Sequence, residues 1–191
     1  MSKEKVILFD TTLRDGQQTQ GVDFSVQDKV NIAKALDNIG IDYIEGGWPG
    51  ANPTDTKFFE QNNKFSNAKF TAFGMTKRAG RSADNDPQLR ALIDANSDSI
   101  CLVAKTWDFH VDLALGISLE ENIEAIKDSV LSIKENNKEP LIDCEHFFDG
   151  YKANPDYALS CIETALESGA RWAVLCDTNG GTLPVSYTHL R

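Results

Sequence analysis

"ILFDTTLRDGQQTQG", residues 7–21, runs three apolar residues straight into Asp10, Thr11, Thr12, Arg14, Asp15, Gln17 and Gln18 before any helix begins. A connecting turn needs one or two polar residues and a glycine. This strand mouth carries groups able to hold a cation and an anion. The same event recurs along the chain. Apolar runs open into "EGG" (45–47), "KTWDFH" (105–110), "CEHFFDG" (144–150) and "CDTNGG" (176–181).

Between these mouths lie amphipathic stretches. Val26, Val30, Ala33 and Leu36 recur at helical spacing, with Ser25 placed as N-cap, Asp28 three residues on, and Gly40 as a stop. Leu119, Ile123, Ile126, Val130 and Ile133 repeat in the same way behind Ser118 and Glu121, a capping box. Further helices are expected around 54–63, 87–95 and 155–168, the last stopped by Gly169. Strands are expected at 6–9, 42–47, 69–74, 99–105, 140–148 and 171–177. Alternation of this kind implies parallel strands covered by helices. A doubly wound sheet and a (β/α)8 TIM barrel both satisfy it. The equipped strand ends favour the barrel, which gathers every strand C-terminus around one site, whereas an open sheet has one crevice. About six strands are accounted for, so the barrel is incomplete in this chain.

Composition narrows the function classes. At 191 residues, 41% hydrophobic and 25% charged, the chain has the make-up of a soluble globular protein. A net charge of −10 opposes a nucleic-acid partner, since phosphate attracts a basic face. No apolar run reaches the ~20 residues of a membrane helix, and the start is too short in apolar residues for a signal peptide. A cytoplasmic protein is expected. Cys101, Cys144, Cys161 and Cys176 form no C-x-x-C pair and read as reduced, buried thiols rather than a zinc site.

"FDTTLRDGQQTQG" resembles the signature of the metallolyase barrel family that holds 2-isopropylmalate synthase, homocitrate synthase, citramalate synthase and HMG-CoA lyase. "IEGGWPGANPTDTKFF", "EHFFDGYKANPDYA" and "CDTNGGTLP" resemble its citramalate synthase branch, and the likeness runs from about residue 5 to Pro184. The resemblance implies a metal-assisted Claisen-type condensation of acetyl-CoA with pyruvate to citramalate and CoA, within amino-acid (isoleucine) biosynthesis. It implies a divalent cation, Mg2+ or Mn2+, on Asp15. Arg14 would steady the enolate and contact substrate. Gln18 would lie near the substrate, Glu145 would take part in proton transfer, and Thr178 would grip the oxo-acid carboxylate. The full-length parent would be a homodimer. Isopropylmalate or homocitrate synthesis would change the side-chain pocket, and a lyase would run the carbon–carbon chemistry in reverse. A reading of another class is a non-catalytic protein binding a 2-oxo acid or a partner.

Other strand-end groups have plainer readings beside functional ones. Glu45 could line the site or form an ion pair with a neighbouring strand end. His110 and His146 could ligate, carry protons, or simply hydrogen-bond. Lys105 could form a Schiff base, but that chemistry leaves the arginine–aspartate cluster without work. The basic residues of "KRAGRSADNDP" (77–87) could hold an anionic tail or form a solvated loop.

The resemblance has one departure. The family's other metal ligands form an H-x-H pair, and the histidines here, His110, His146 and His189, are not so spaced. "VSYTHLR" (185–191) shows no amphipathic helix and reads as a foreign tail on residues 1–184, the N-terminal part of a catalytic barrel domain. On this reading the chain alone is inactive and marginally stable, with two unpaired sheet edges.

Overall fold

The structure, a computed structural model, describes residues 5–188. The described residues fall into two units, one drawn from Met1–Gly74 and Pro87–Cys101, the other from Met75–Asp86 and Leu102–Arg191.

The first unit contains β1 (Phe9–Asp10), α1 (Val26–Asn38), β2 (Tyr43–Gly47), α2 (Pro53–Glu60), all but the last residue of β3 (Lys69–Met75), α3 (Pro87–Asp94) and the start of β4 (Ser99–Lys105). Its strands neighbour one another in chain order. The β1–β2 pair is parallel, with Phe9 opposite Tyr43, and so is β2–β3, with Ile44 opposite Phe70. The strand expected at 6–9 pairs regularly only at Phe9–Asp10. Val6 and Leu8 are exposed, although the Leu8 carbonyl still accepts from the Asp42 and Tyr43 N–H groups. Helix α1 starts as its sequence requires. Ser25 Oγ accepts from the Asp28 N–H at 3.2 Å, and the Asp28 carboxylate takes the Ser25 N–H at 3.0 Å. Val30 and Ala33 face the core, where Phe59 stacks on Phe70 at 4.4 Å and Phe58 meets Phe70 edge-on at 5.2 Å. Burying each such ring contributes about 1.5–3 kcal/mol. The close packing explains "EGG": a Cβ at Gly46 would lie 2.4 Å from the Phe70 ring.

The second unit contains the remainder of β4, a helical turn with α4 (Asp108–His110) and a π-turn (Val111–Leu115), then α5 (Leu119–Glu135), β5 (Glu139–Glu145), α6 (Phe147–Ala153), α7 (Pro155–Ser168), β6 (Trp172–Leu175) and α8 (Pro184–Thr188). Here too the strands follow chain order, and β5–β6 is parallel with Leu141 opposite Trp172. The Ser118–Glu121 capping box forms, with both bonds at 3.1 Å, and Ile126, Val130 and Ile133 are fully buried. The fifth strand ends at Glu145, short of the expected Phe148, because His146 takes a left-handed backbone (φ 53°) that turns the chain into α6. Gly150 in α6 permits a close approach; a Cβ there would sit 2.5 Å from the Thr106 carbonyl oxygen.

Sequence periodicity offered no helix after Pro184, yet Pro184–Thr188 is helical. Tyr187 secures it, donating its hydroxyl to Asp177 at 3.0 Å and packing its ring 4.5 Å from Phe148. The rest of the expected tail, including His189, lies outside the described residues. Cys101, Cys144 and Cys161 are buried free thiols as expected, and Cys176 is half-buried. Burial pushes the Cys161 thiol up to about 12. No helix among the described residues is long and apolar enough to cross a membrane.

Candidate functional site

In the first unit, Thr11 O collects the N–H groups of Arg14, Asp15 and Gly16 at 2.8–3.1 Å, which coils the chain directly after β1. The coil presents Arg14 and Asp15 side by side. Arg14 Nε donates to Glu45 Oε2 at 2.6 Å, and Nη1 lies 3.1 Å from Asp15 Oδ1. The guanidinium carbon also sits 3.9 Å over the Phe73 ring. A buried partner plus an aromatic face fixes the guanidinium far more firmly than a surface ion pair would. Glu45 therefore takes the plainer of its two readings, as the ion-pair partner of Arg14. Its side chain is fully buried, whereas that of Asp15 is 61% exposed. Gln18 follows on the 3-10 turn Gly16–Gln18 and is exposed.

Sequence reading missed the group that braces this arrangement. Lys29, fully buried in α1, donates to Leu13 O at 2.8 Å, to Gly46 O at 3.0 Å, and to the Asp55 carboxylate. Those carbonyls belong to the residues adjoining Arg14 and Glu45. Asp55 in turn takes the Trp48 N–H and the Asn52 amide, both at 2.8 Å. Burial lowers the Lys29 pKa, and the Asp55 carboxylate opposes that shift. A signal was available: Lys29 lies on the same face of the periodic stripe as Val26, Val30 and Ala33, where a solvated lysine has no place.

In the second unit, Lys105 ion-pairs with Glu145 Oε2, and the Thr106 hydroxyl donates to the Glu145 carbonyl at 2.9 Å. The Lys105 carbonyl accepts from Asn122 at 2.9 Å and from the Tyr157 hydroxyl at 3.4 Å. Thr178 Oγ1 accepts the His146 N–H at 2.9 Å, so Glu145 and Thr178 flank His146. The His110 ring meets the His146 ring edge-on at 4.4 Å, with Trp107 4.7 Å from His110. Burial holds His110 below the ordinary histidine pKa, and His146 and Lys105 add to the shift. Of the basic loop, Lys77 is committed to Asp128 at 3.1 Å and to the Arg81 carbonyl at 3.0 Å, while Arg78 and Arg81 are exposed.

The HMGL-like family matches residues 5–190. The chain belongs to this family. Among its HMGL-like relatives, an (R)-citramalate synthase from Aquifex aeolicus is 54% identical over 183 residues, covering 95% of this chain and 35% of the relative. A 2-isopropylmalate synthase from Streptococcus gallolyticus is 34% identical over 188 residues, covering 97% of this chain and 35% of the relative. The chain thus spans about a third of the length of the curated relatives it matches. The solved HMG-CoA lyase of Brucella melitensis shares the fold, with a TM-score of 0.76 at 16% identity over 96% of this chain and 65% of the lyase. The TIM-barrel architecture expected from the strand ends is the fold of that neighbour, and this chain contributes six of its strands.

Proposed function

We propose that this chain is part of an acyltransferase of the citramalate synthase type, condensing acetyl-CoA with pyruvate. The observation that carries the reading is the Arg14–Glu45–Asp15 trio, a fixed guanidinium beside an exposed carboxylate at the mouth of β1. The higher identity to the citramalate synthase than to the 2-isopropylmalate synthase supports pyruvate over a bulkier 2-oxo acid. Residues 1–184 would form the N-terminal part of the catalytic barrel domain, in a cytoplasmic homodimer.

The trio fits a divalent cation. Its formal charge is one negative, which a dication reverses, and the exposed Asp15 offers a hard oxygen donor. Asp15 would hold Mg2+ or Mn2+, and that cation, when bound, polarises the oxo-acid carbonyl as a Lewis acid. The sequence carries no H-x-H pair, so Asp15 is the ligand this chain supplies.

The chain's own groups supply the rest. Arg14 stabilises the enolate oxygen that forms as the acetyl methyl loses a proton, and Glu45 and Phe73 hold it in place beforehand. Gln18, one turn on, contributes an amide to the substrate. Glu145 handles the proton, with the Lys105 ammonium beside its carboxylate. The Thr178 hydroxyl accepts from the His146 N–H, which leaves its own hydrogen free to donate to the oxo-acid carboxylate.

The test is thiol release with acetyl-CoA and either pyruvate or 2-oxoisovalerate. It is run on this chain and on this chain joined to the remaining C-terminal length of the Aquifex aeolicus relative. The chain alone is expected to be silent, and the joined protein to turn over pyruvate, with Arg14→Ala costing about 10²–10³ in kcat. A folded joined protein that prefers 2-oxoisovalerate, or is indifferent to Asp15→Asn, overturns the reading.

A further inference from the structure

In the second unit, His110, His146 and Glu145 each offer a ligand atom within 4.8 Å of the others, and all three residues are half-buried. We propose that this trio binds a borderline transition-metal cation of the Zn2+ class, at a site chemically distinct from the hard-cation ligand Asp15.

The backbone prepares the site. His146 occupies a left-handed conformation uncommon outside glycine, held by the bond from its N–H to Thr178. That turn sets its ring at 87° to His110, and Trp107 walls both imidazoles at 4.7 and 5.9 Å. His146 Nδ1 is buried without a hydrogen-bond partner and lies 3.7 Å from Asp149 Oδ2. Asp149 is itself anchored by the Asn179 amide at 2.8 Å. A small ring rotation lets Nδ1–H donate to Asp149 and leaves Nε2 as the ligand, the arrangement in which a carboxylate orients a metal-bound histidine. Burial lowers the His110 pKa and so favours the neutral imidazole, the form that ligates. Lys105 engages Oε2 of Glu145, so a dication shares that carboxylate with the Lys105 ammonium or displaces it. Two imidazoles and one carboxylate suit Zn2+, Co2+ or Ni2+ and not Mg2+. Occupancy would draw Glu145 away from proton handling.

The chain itself can be tested, without substrate, by calorimetric titration with Zn2+ and by the visible spectrum of added Co2+. One equivalent is expected, unaffected by excess Mg2+. His110→Gln and His146→Asn should each weaken binding about 10–100-fold; asparagine tolerates the left-handed backbone. Cys176→Ser, His189→Gln and Asp15→Asn should leave it unchanged. Imidazole 15N resonances of the unaltered chain give a second readout that no folding defect can mimic, with Zn2+ shifting His110 and His146. Absence of binding overturns the proposal, as does binding that survives both histidine substitutions or shifts only His189. Because no turnover is measured, failure of the acyltransferase reading leaves the result standing.

Discussion

The two clusters use the same raw materials, a cation and a carboxylate at strand ends, and hold them differently. Arg14 is fixed from behind by buried charge: Glu45 is fully enclosed, and Lys29 with Asp55 pins the adjoining backbone. The Lys105–Glu145 pair is only partly enclosed, with side chains 16% and 29% exposed, and its order comes from backbone devices. These are the left-handed His146, the close approach at Gly150 and the grip of Thr178. Buried ion pairs give rigidity at a high desolvation cost, so the first cluster should be brittle to the loss of one charge. The second should respond more to changes in backbone shape.

The largest effect that could break this contrast is Lys29→Met. It leaves Asp55 enclosed without its cation and should cost about 3–5 kcal/mol. A loss of that size should sharply lower or abolish the cooperative thermal transition seen by circular dichroism. A variant that melts like the parent would remove the brace from the account of Arg14.

Asp37 sharpens the same point within the first unit. Its nearly buried carboxylate accepts the Ser66, Asn67 and Ala68 N–H groups at 2.8–2.9 Å. Burial alone would raise its pKa, but the three bonds prevail and lower it below 3.8. A depressed carboxylate contributes stability that is complete above the unfolded value and is lost as pH falls through the folded one. Acid titration should therefore show stability falling below pH 3.8 in the parent. Asp37→Asn should flatten that slope and cost about 1.5–3 kcal/mol at neutral pH, measured by urea unfolding.

In the second unit, Gly150→Ala should cost about 1–3 kcal/mol, because its Cβ would meet the Thr106 carbonyl. Chemical denaturation measures this, and a neutral result would mean that α6 and the 106–107 backbone can part cheaply. The smallest effect is Ser118→Ala, which removes one half of the α5 capping box for about 1 kcal/mol. Thermal melts of the variant should show the same cooperativity and a lower midpoint.

Local rules made much of the fold legible. Both capping boxes join residues three apart, so the sequence states them outright and the structure forms them. The apolar runs ending in polar clusters located five strands to within a few residues. What local rules cannot carry is a partnership across many residues. Arg14 and Glu45 are 31 positions apart, Lys29 and Asp55 are 26, and Lys105 and Glu145 are 40. The strand end at Glu145 was misplaced for a similar reason. Phe147 and Phe148 continue the apolar run, and the turn that His146 makes is tied to Thr178, 32 residues on.

The sequence by itself determined the alternation of strands and helices, the equipped strand mouths and the family resemblance. These depend on hydrophobic period, capping chemistry and motif, all of which are written in adjacent residues. Only the tertiary structure decided which charge holds which. It gave Glu45 to Arg14, Lys29 to the backbone beside both, and Glu145 to Lys105 next to two facing imidazoles. An ion pair's worth depends on burial and geometry, and neither exists until the chain has brought distant residues together.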